Sequence, residues 1–118
     1  MKGKPRNLEE AILLLMDDIL EDEDIKELKL VGEENFVIFN HHQIGREIRN
    51  DWELGNKDTP IVKWFNEKGI YHSDDMSSII LKSFHRKICN KNINLNKQIK
   101  FYRDYWEKED PKVNKSIF

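Results

Sequence analysis

The chain has 118 residues, of which 38% are hydrophobic and 36% charged, and its formal net charge is −2. This length fits one domain, and an aromatic content of 10% argues against a disordered chain. The single cysteine, Cys89, excludes an internal disulfide. The sequence shows neither the pattern of a secretory leader nor an apolar run of the roughly 20 residues that a membrane span requires. We therefore expect a cytoplasmic protein without a membrane anchor.

The two halves of the chain differ in charge. Residues 1–59 carry 8 Lys/Arg and 15 Asp/Glu, a net charge of −7, and residues 60–118 carry 12 and 7, a net charge of +5. A nucleic-acid-binding protein would usually have a clearer basic excess, so we do not expect a nucleic-acid partner. The uneven charge suits electrostatic docking to a partner protein.

The first predicted helix starts after Asn7, a favourable N-cap residue, and Glu10 follows three positions later as in a capping box. Apolar residues then recur with a helical period. The acidic run at 21–24 predicts a solvated helix junction, because it lacks the spaced ligands and the central glycine of a calcium loop. Asp24 is then the expected cap of a short second helix, Ile25–Leu30.

The segment Asn35–Trp52 is predicted as one long third helix, because its apolar residues recur at three or four positions. The alternative for Asn35–Asn40 is a short strand, since its Phe-Val-Ile-Phe run is β-prone. Gly45 lies inside the predicted helix, where a glycine lowers stability unless a neighbouring backbone comes close to it.

Three more helices follow along the chain. Thr59 is the expected cap of a fourth helix, with Pro60 at its first position and Gly69 at its end. Ser73 and Asn94 are the expected caps of the fifth and the sixth helix.

These elements predict an all-α fold, a compact single domain of five or six short helices. The helical domain is expected to cover residues 1–106. Residues 107–118 are polar and are expected to form a loosely ordered C-terminal tail.

Two segments, 41–52 and 72–86, are unlike a generic surface helix because they concentrate histidine, arginine and carboxylate side chains. The candidate binding residues in them are His41, Arg46, Arg49, Asn50, Trp52, Asp74, Asp75, Ser77, His85 and Arg86.

These segments also contain recognisable blocks. From His41 the chain reads His-x-x-Ile-Gly-x-x-Ile-Arg-Asn-x-Trp-x-Leu, and from Asp74 it reads Asp-Asp-Met-Ser, followed by Ile-Ile-Leu and Phe-His-Arg, with Tyr-x-x-Tyr-Trp at 102–106. Together the blocks resemble a family of small bacterial proteins of unknown function. This chain departs from that family's pattern at Ile44, Ser73 and Phe84, where the family has Leu, Pro and Tyr. The resemblance runs from residue 7 to residue 106 and implies no known activity.

Arg49 can form an ion pair with Asp74 or Asp75, which would lock the third helix to the fifth. The alternative is that Arg46 and Arg49, three positions apart on one helix, bind an anion or a nucleotide. We favour the structural role of Arg49.

Histidine side chains can bind a metal ion or act as an acid or a base, but the sequence around them does not favour either role. No His-Glu-x-x-His motif and no cysteine pair is present, so we expect no metal and no cofactor. Ser77 and His85 are eight residues apart, about 12 Å along one helix, which is too far for a direct catalytic dyad. A hydrolase-like enzyme remains the alternative function, and it predicts a pocket that gathers Arg49, Asn50, Asp75 and His85, with Trp52 in its wall.

The three tryptophans are expected in the core, where each would contribute much of the burial in a small domain. A stacking platform for single-stranded nucleic acid would require exposed aromatics beside basic residues.

Since no complete catalytic constellation is visible, the leading prediction is a non-catalytic protein-interaction module, one form of which is an immunity or antitoxin-like protein. Its contact surface is expected at the acidic region 17–24.

Overall fold

The computed structural model of the chain describes residues 3–19 and 22–109, with side chains at 3–18 and 25–109. Within these ranges the chain forms seven helices and no strand. They are α1 (Leu8–Ile19), α2 (Asp22–Leu30), α3 (Glu33–Asn40), α4 (Ile44–Asp51), α5 (Pro60–Glu67), α6 (Ser73–Ile88) and α7 (Leu95–Glu109). The predicted all-α class is confirmed, with seven helices where five or six were expected. Across the described segments, no helix combines the length and the apolar character needed to cross a bilayer.

Helix boundaries agree with the sequence where a capping or turn residue sets them. The side-chain oxygen of Asn7 accepts a hydrogen bond from the backbone N–H of Glu10 at 2.9 Å, so α1 begins at the next residue. Pro60 is the first residue of α5. Gly69 follows that helix with a φ of 85°, a conformation that glycine adopts without strain.

Two predicted caps are wrong, one by three positions and the other by one. Helix α2 begins at Asp22, so Asp24 lies inside it and does not cap it. The N-cap residue of α6 is His72, and Ser73 is the first residue inside the helix. Several neighbouring polar residues can serve equally well as the first residue of a helix. The sequence therefore places such a helix start only to within a few positions.

The single third helix predicted for 35–52 is wrong, because α3 and α4 are separate helices. The strand alternative for Asn35–Asn40 is also wrong, since this segment is helical. At Gln43 the backbone leaves the helical region, with φ −112° and ψ −95°. The break frees the carbonyl oxygen of His41, which accepts a hydrogen bond from Nη2 of Arg49 at 2.9 Å. A tertiary hydrogen bond therefore compensates for a break that the local sequence does not signal.

Gly45 is buried at the start of α4, where the chain passes close to it. A Cβ atom at this position would lie 2.9 Å from Nη1 of Arg49 and 3.1 Å from the carbonyl oxygen of Asn40. The close backbone approach that would justify a glycine in this helix is therefore present.

The central element is α6, which packs against α1, α2, α3, α4 and α7. Its buried residues are Met76, Ser77, Ile79, Ile80, Leu81, Ser83, Phe84, His85 and Ile88. Because burial extends around most of the helix, even its small polar residues lie inside and form hydrogen bonds. The N-terminal half of α6 faces α4 and the C-terminal half of α7, and its C-terminal half faces α2, α3 and the N-terminal half of α7, as the bonds described below show.

Helix α7 lies along α6 through its N-terminal half. Gln98 and Ile99 are its buried residues, and the side-chain nitrogen of Gln98 donates to the hydroxyl of Ser83 at 3.1 Å. The helix continues to Glu109, three residues past the predicted end of the domain at Trp106. Residues 110–118 lie outside the described part of the chain.

Candidate functional site

Arg49 joins α4 to α6 and closes the gap between α3 and α4. Its Nη1 donates to the hydroxyl of Ser77 at 2.8 Å, its Nη2 to the carbonyl of His41 at 2.9 Å, and its Nε lies 3.5 Å from a carboxylate oxygen of Asp74. The Ser77 hydroxyl donates in turn to the backbone carbonyl of Asp74 at 3.0 Å. The pairing of Arg49 with Asp74 is one of the two pairs expected from the sequence. We call this arrangement the Arg49 junction.

Among the other candidates of the first segment, His41 joins this junction through its backbone carbonyl, and the side chains of the rest surround it. Arg46 and Asn50 are exposed on α4. Trp52 is fully buried in the core, and its indole nitrogen has no hydrogen-bond partner among the described residues. The ring of His41 is half-buried against the ring of His42.

The last two candidates lie at the opposite end of α6. Nε2 of the buried His85 lies 2.8 Å from the carbonyl oxygen of Val31 and 3.1 Å from that of Leu28, so this nitrogen carries the proton and donates to the C-terminal end of α2. Arg86 pairs with Glu33 at the start of α3 through two nitrogens. The Arg86 guanidinium holds the pKa of the Glu33 carboxyl below its usual value, although partial burial opposes the shift.

The structure therefore does not bring the ten sequence candidates into one pocket. Those at the N-terminal end of α6 hold α4, and those at its C-terminal end hold α2 and α3. Arg49, Asn50 and His85 do not line the cleft to which Asp74 and Asp75 contribute. Over the described parts of the chain, no three His, Cys, Asp or Glu side chains are grouped so that they could hold a metal ion.

A different group of side chains forms a cleft of about 390 Å³ between the N-terminal end of α6 and the C-terminal half of α7. We call it the aromatic cleft. It is lined by His72, Ser73, Asp74, Asp75, Phe101, Tyr102, Tyr105 and Trp106. Its side chains belong to elements held in place on both sides, since the Arg49 junction fixes one end of α6 and the packing of Gln98 and Ile99 fixes α7.

Three aromatic side chains of α7 keep much of their surface in solvent at this cleft. Phe101 is 63% exposed, Tyr105 46% and Trp106 37%. The sequence predicts Trp106 in the core with the other tryptophans, and that prediction is wrong. The buried residues of α7, Gln98 and Ile99, lie in its N-terminal half, whereas its C-terminal half contacts α6 at the surface through the bond of Trp106 to Asp75.

Polar contacts fix Trp106 at the edge of the cleft. Its indole nitrogen donates to Oδ2 of Asp75 at 2.7 Å, and its ring is stacked on the imidazole of His72 with centroids 3.8 Å apart and an interplanar angle of 20°. Tyr105 meets the same ring edge-on at 5.2 Å. The second and the third sequence block, at 73–77 and 102–106, therefore meet in this cleft.

The cleft is electrostatically negative through the carboxylates of Asp74 and Asp75. Burial raises the pKa of Asp75, and the nearby charge of Asp74 adds to that rise, while the Trp106 hydrogen bond and His72 oppose it. Burial also raises the pKa of Tyr102, against a hydrogen bond from Ser78.

Comparison with known families gives one assignment. Residues 4–88 match a domain of unknown function, DUF6794, over more than half of the chain. The chain belongs to this family. In this DUF6794 protein the matched region contains the Arg49 junction and the α6 side of the aromatic cleft, and it ends before α7. No curated protein and no solved structure gives a significant match.

Sequence reasoning missed the contribution of α7 and of His72 to this site. The Tyr-x-x-Tyr-Trp block was a usable signal, because tyrosine and tryptophan combine a large apolar ring with a polar group and are enriched at interfaces. In the expected acidic surface, Asp17 and Asp18 are exposed on α1. The rest of that region, at 21–24, lies outside the described side chains.

Proposed function

We propose that this DUF6794 protein is a non-catalytic interaction module, and that it binds a basic segment of a partner protein in the aromatic cleft. The observation that carries the proposal is the cluster of exposed Phe101, Tyr105 and Trp106 beside the Asp74 and Asp75 carboxylates. Tryptophan and tyrosine are enriched among the residues that dominate binding energy at protein interfaces. The two carboxylates give the cleft the charge that attracts a basic partner.

The polar residues that an enzyme would need are committed to the fold. Arg49 and Arg86 bond to neighbouring helices, and His85 is buried with Nε2 on two carbonyl oxygens. Such bonds support a rigid scaffold rather than a reacting centre.

Nucleic acid fits the cleft less well than a protein does. The exposed aromatics could stack on bases, but the carboxylates of Asp74 and Asp75 would repel phosphates. Two basic residues of α7 are also engaged elsewhere, since Lys100 pairs with Asp104 and the Arg103 side chain lies over Gly69.

A second exposed apolar surface is the alternative binding site for the partner protein. Ile38 and Phe39 on α3, with Leu30 and Val31 at the end of α2, are exposed beside or within a groove of about 560 Å³. Among the described side chains that line this groove, Glu27 alone carries a carboxylate, so we place the partner in the aromatic cleft.

The test is a pull-down with the full chain, followed by identification of the bound protein and reconstitution of the complex from purified components. We expect Tyr105→Ser to weaken the reconstituted complex at least about tenfold, the effect of losing an interface hot spot. Phe39→Ser, on the α3 surface, is the matched control and should leave the affinity unchanged. A complex that is lost with Phe39→Ser, or with reversal of Asp17 and Asp18, and kept with Tyr105→Ser would overturn the assignment.

The narrower form of the proposal is an immunity or antitoxin-like protein. The small size of the chain and its uneven charge support it. In that form the identified partner should arrest growth when it is expressed alone, and co-expression of this chain should restore growth. A partner that is harmless when expressed alone would exclude this form and leave the interaction module in place.

A further inference from the structure

We propose that the aromatic cleft recognises one arginine side chain of its partner, whose guanidinium stacks on Trp106 in place of the His72 ring and pairs with the carboxylates of Asp74 and Asp75. This inference rests on the proposed function, because it names the group by which the partner would be bound. It follows from three observations on the cleft, which concern ring stacking, carboxylate geometry and accessibility.

The stacked ring of His72 shows what kind of group can pack on the face of the Trp106 indole. The imidazole is flat, carries nitrogen atoms and becomes a cation when protonated, and it lies nearly parallel to the indole at 3.8 Å. A guanidinium shares these properties and stacks well on aromatic rings, whereas an ammonium group is compact and strongly hydrated. The site therefore favours arginine over lysine.

The carboxylates stand where they can pair with that cation. Asp75 uses Oδ2 for the Trp106 indole, and among the described residues no other hydrogen bond to its carboxylate is formed. Asp74 is 68% exposed, and its ion pair with Arg49 at 3.5 Å uses Oδ1. One oxygen of each carboxylate is thus left for a second donor, and a guanidinium has five N–H groups to offer.

An arginine side chain of the partner can reach the aromatic cleft, because the aromatic rings on which it would stack are exposed. His72 is exposed and holds its place on Trp106 by stacking, and its side chain makes no capping hydrogen bond to α6. Displacing it would cost that ring contact and its electrostatic interaction with Asp75.

The test uses short peptides that differ at one central residue, which is arginine, lysine or citrulline in an otherwise Gly/Ser sequence. Citrulline keeps the planar shape of arginine without its charge. Binding is followed by NMR through the indole N–H of Trp106, and the indoles of Trp52 and Trp64 serve as internal controls. We expect the arginine peptide to bind about tenfold more tightly than the citrulline peptide, and lysine to lie between them.

Single substitutions in the chain then show which side chains contact the guanidinium of the peptide. Asp75→Asn keeps an acceptor for the Trp106 indole and removes the charge, and it should weaken arginine binding about fivefold to tenfold. Asp74→Asn should act in the same direction. Asp58→Asn makes the same change at an exposed position outside the cleft and should have no effect. His72→Ala should tighten binding about threefold, because no ring has to be displaced.

Equal binding of arginine and citrulline, or weaker binding by His72→Ala, would overturn the inference. The two proposals can fail separately. If Tyr105→Ser abolishes binding of the natural partner but the arginine peptide does not bind, the cleft is the interface and the arginine assignment is wrong. If the arginine peptide binds as expected but Tyr105→Ser leaves the natural complex intact, the cation site stands and the proposed partner surface is wrong.

Discussion

Replacing Arg49 with methionine removes the charged group that connects α4 with α6 and keeps an apolar stem of similar length. The side chain is 14% exposed, and it loses hydrogen bonds to the Ser77 hydroxyl and to the His41 carbonyl. A hydrogen bond from a partly exposed charged group contributes about 1.5 kcal/mol, so the two bonds together contribute about 3 kcal/mol. With an unfolding entropy of roughly 0.25 kcal/mol/K for 118 residues, the melting temperature should fall by about 12 °C.

The measurement is thermal and urea unfolding followed by circular dichroism. Arg46→Met is the matched control, because Arg46 lies on the same helix with its side chain in solvent. We expect this control to change the free energy of unfolding by less than about 0.5 kcal/mol. If the two variants are equally stable, the Arg49 junction does not hold the fold together and the structural role assigned to this motif is wrong.

Three further predictions concern other contacts of the fold. Gly45→Ala should lower stability by about 1–2 kcal/mol despite the better helix propensity of alanine, because its Cβ meets backbone and guanidinium atoms. Gly55→Ala, with open space around it, should be nearly neutral in the same urea titration. Because the pKa of Glu33 is lowered in the folded state, its contribution is present above its unfolded pKa and is lost as the pH falls through the folded value. The difference in melting temperature between wild type and Glu33→Gln should therefore shrink between about pH 6 and pH 3, and a pH-independent difference would contradict the ion pair. His85→Leu should destabilise the fold by about 2 kcal/mol and speed amide exchange in α2, whose terminal carbonyls lose their donor; unchanged exchange would contradict this role.

The fold could largely be predicted from local signals. Asn7, Pro60 and Gly69 mark helix ends through chemistry that acts within a few residues, and the structure places ends at or beside each of them. The break between α3 and α4 could not be predicted in this way. No proline marks it and the nearest glycine, Gly45, lies inside α4, while the carbonyl of His41 that the break frees is satisfied by Arg49, eight residues away.

The site was predictable only in part. Opposite charges in two polar segments were enough to suggest the pair of Arg49 with Asp74. The aromatic cleft depends on how the C-terminal half of α7 lies against the N-terminal end of α6, and helical spacing alone cannot show that. The spacing gave Ile99 and Trp106 the same expected environment, yet one is buried and the other is partly exposed.

The most direct test of the central claim is an NMR titration of the labelled chain with its purified partner protein, observed at the three indole N–H signals. We predict that the Trp106 signal shifts or broadens at stoichiometric partner, and that the signal of the buried Trp52 stays in place. Perturbation confined to backbone amides of α3 around Phe39, with Trp106 unchanged, would contradict the claim that the aromatic cleft is the binding surface.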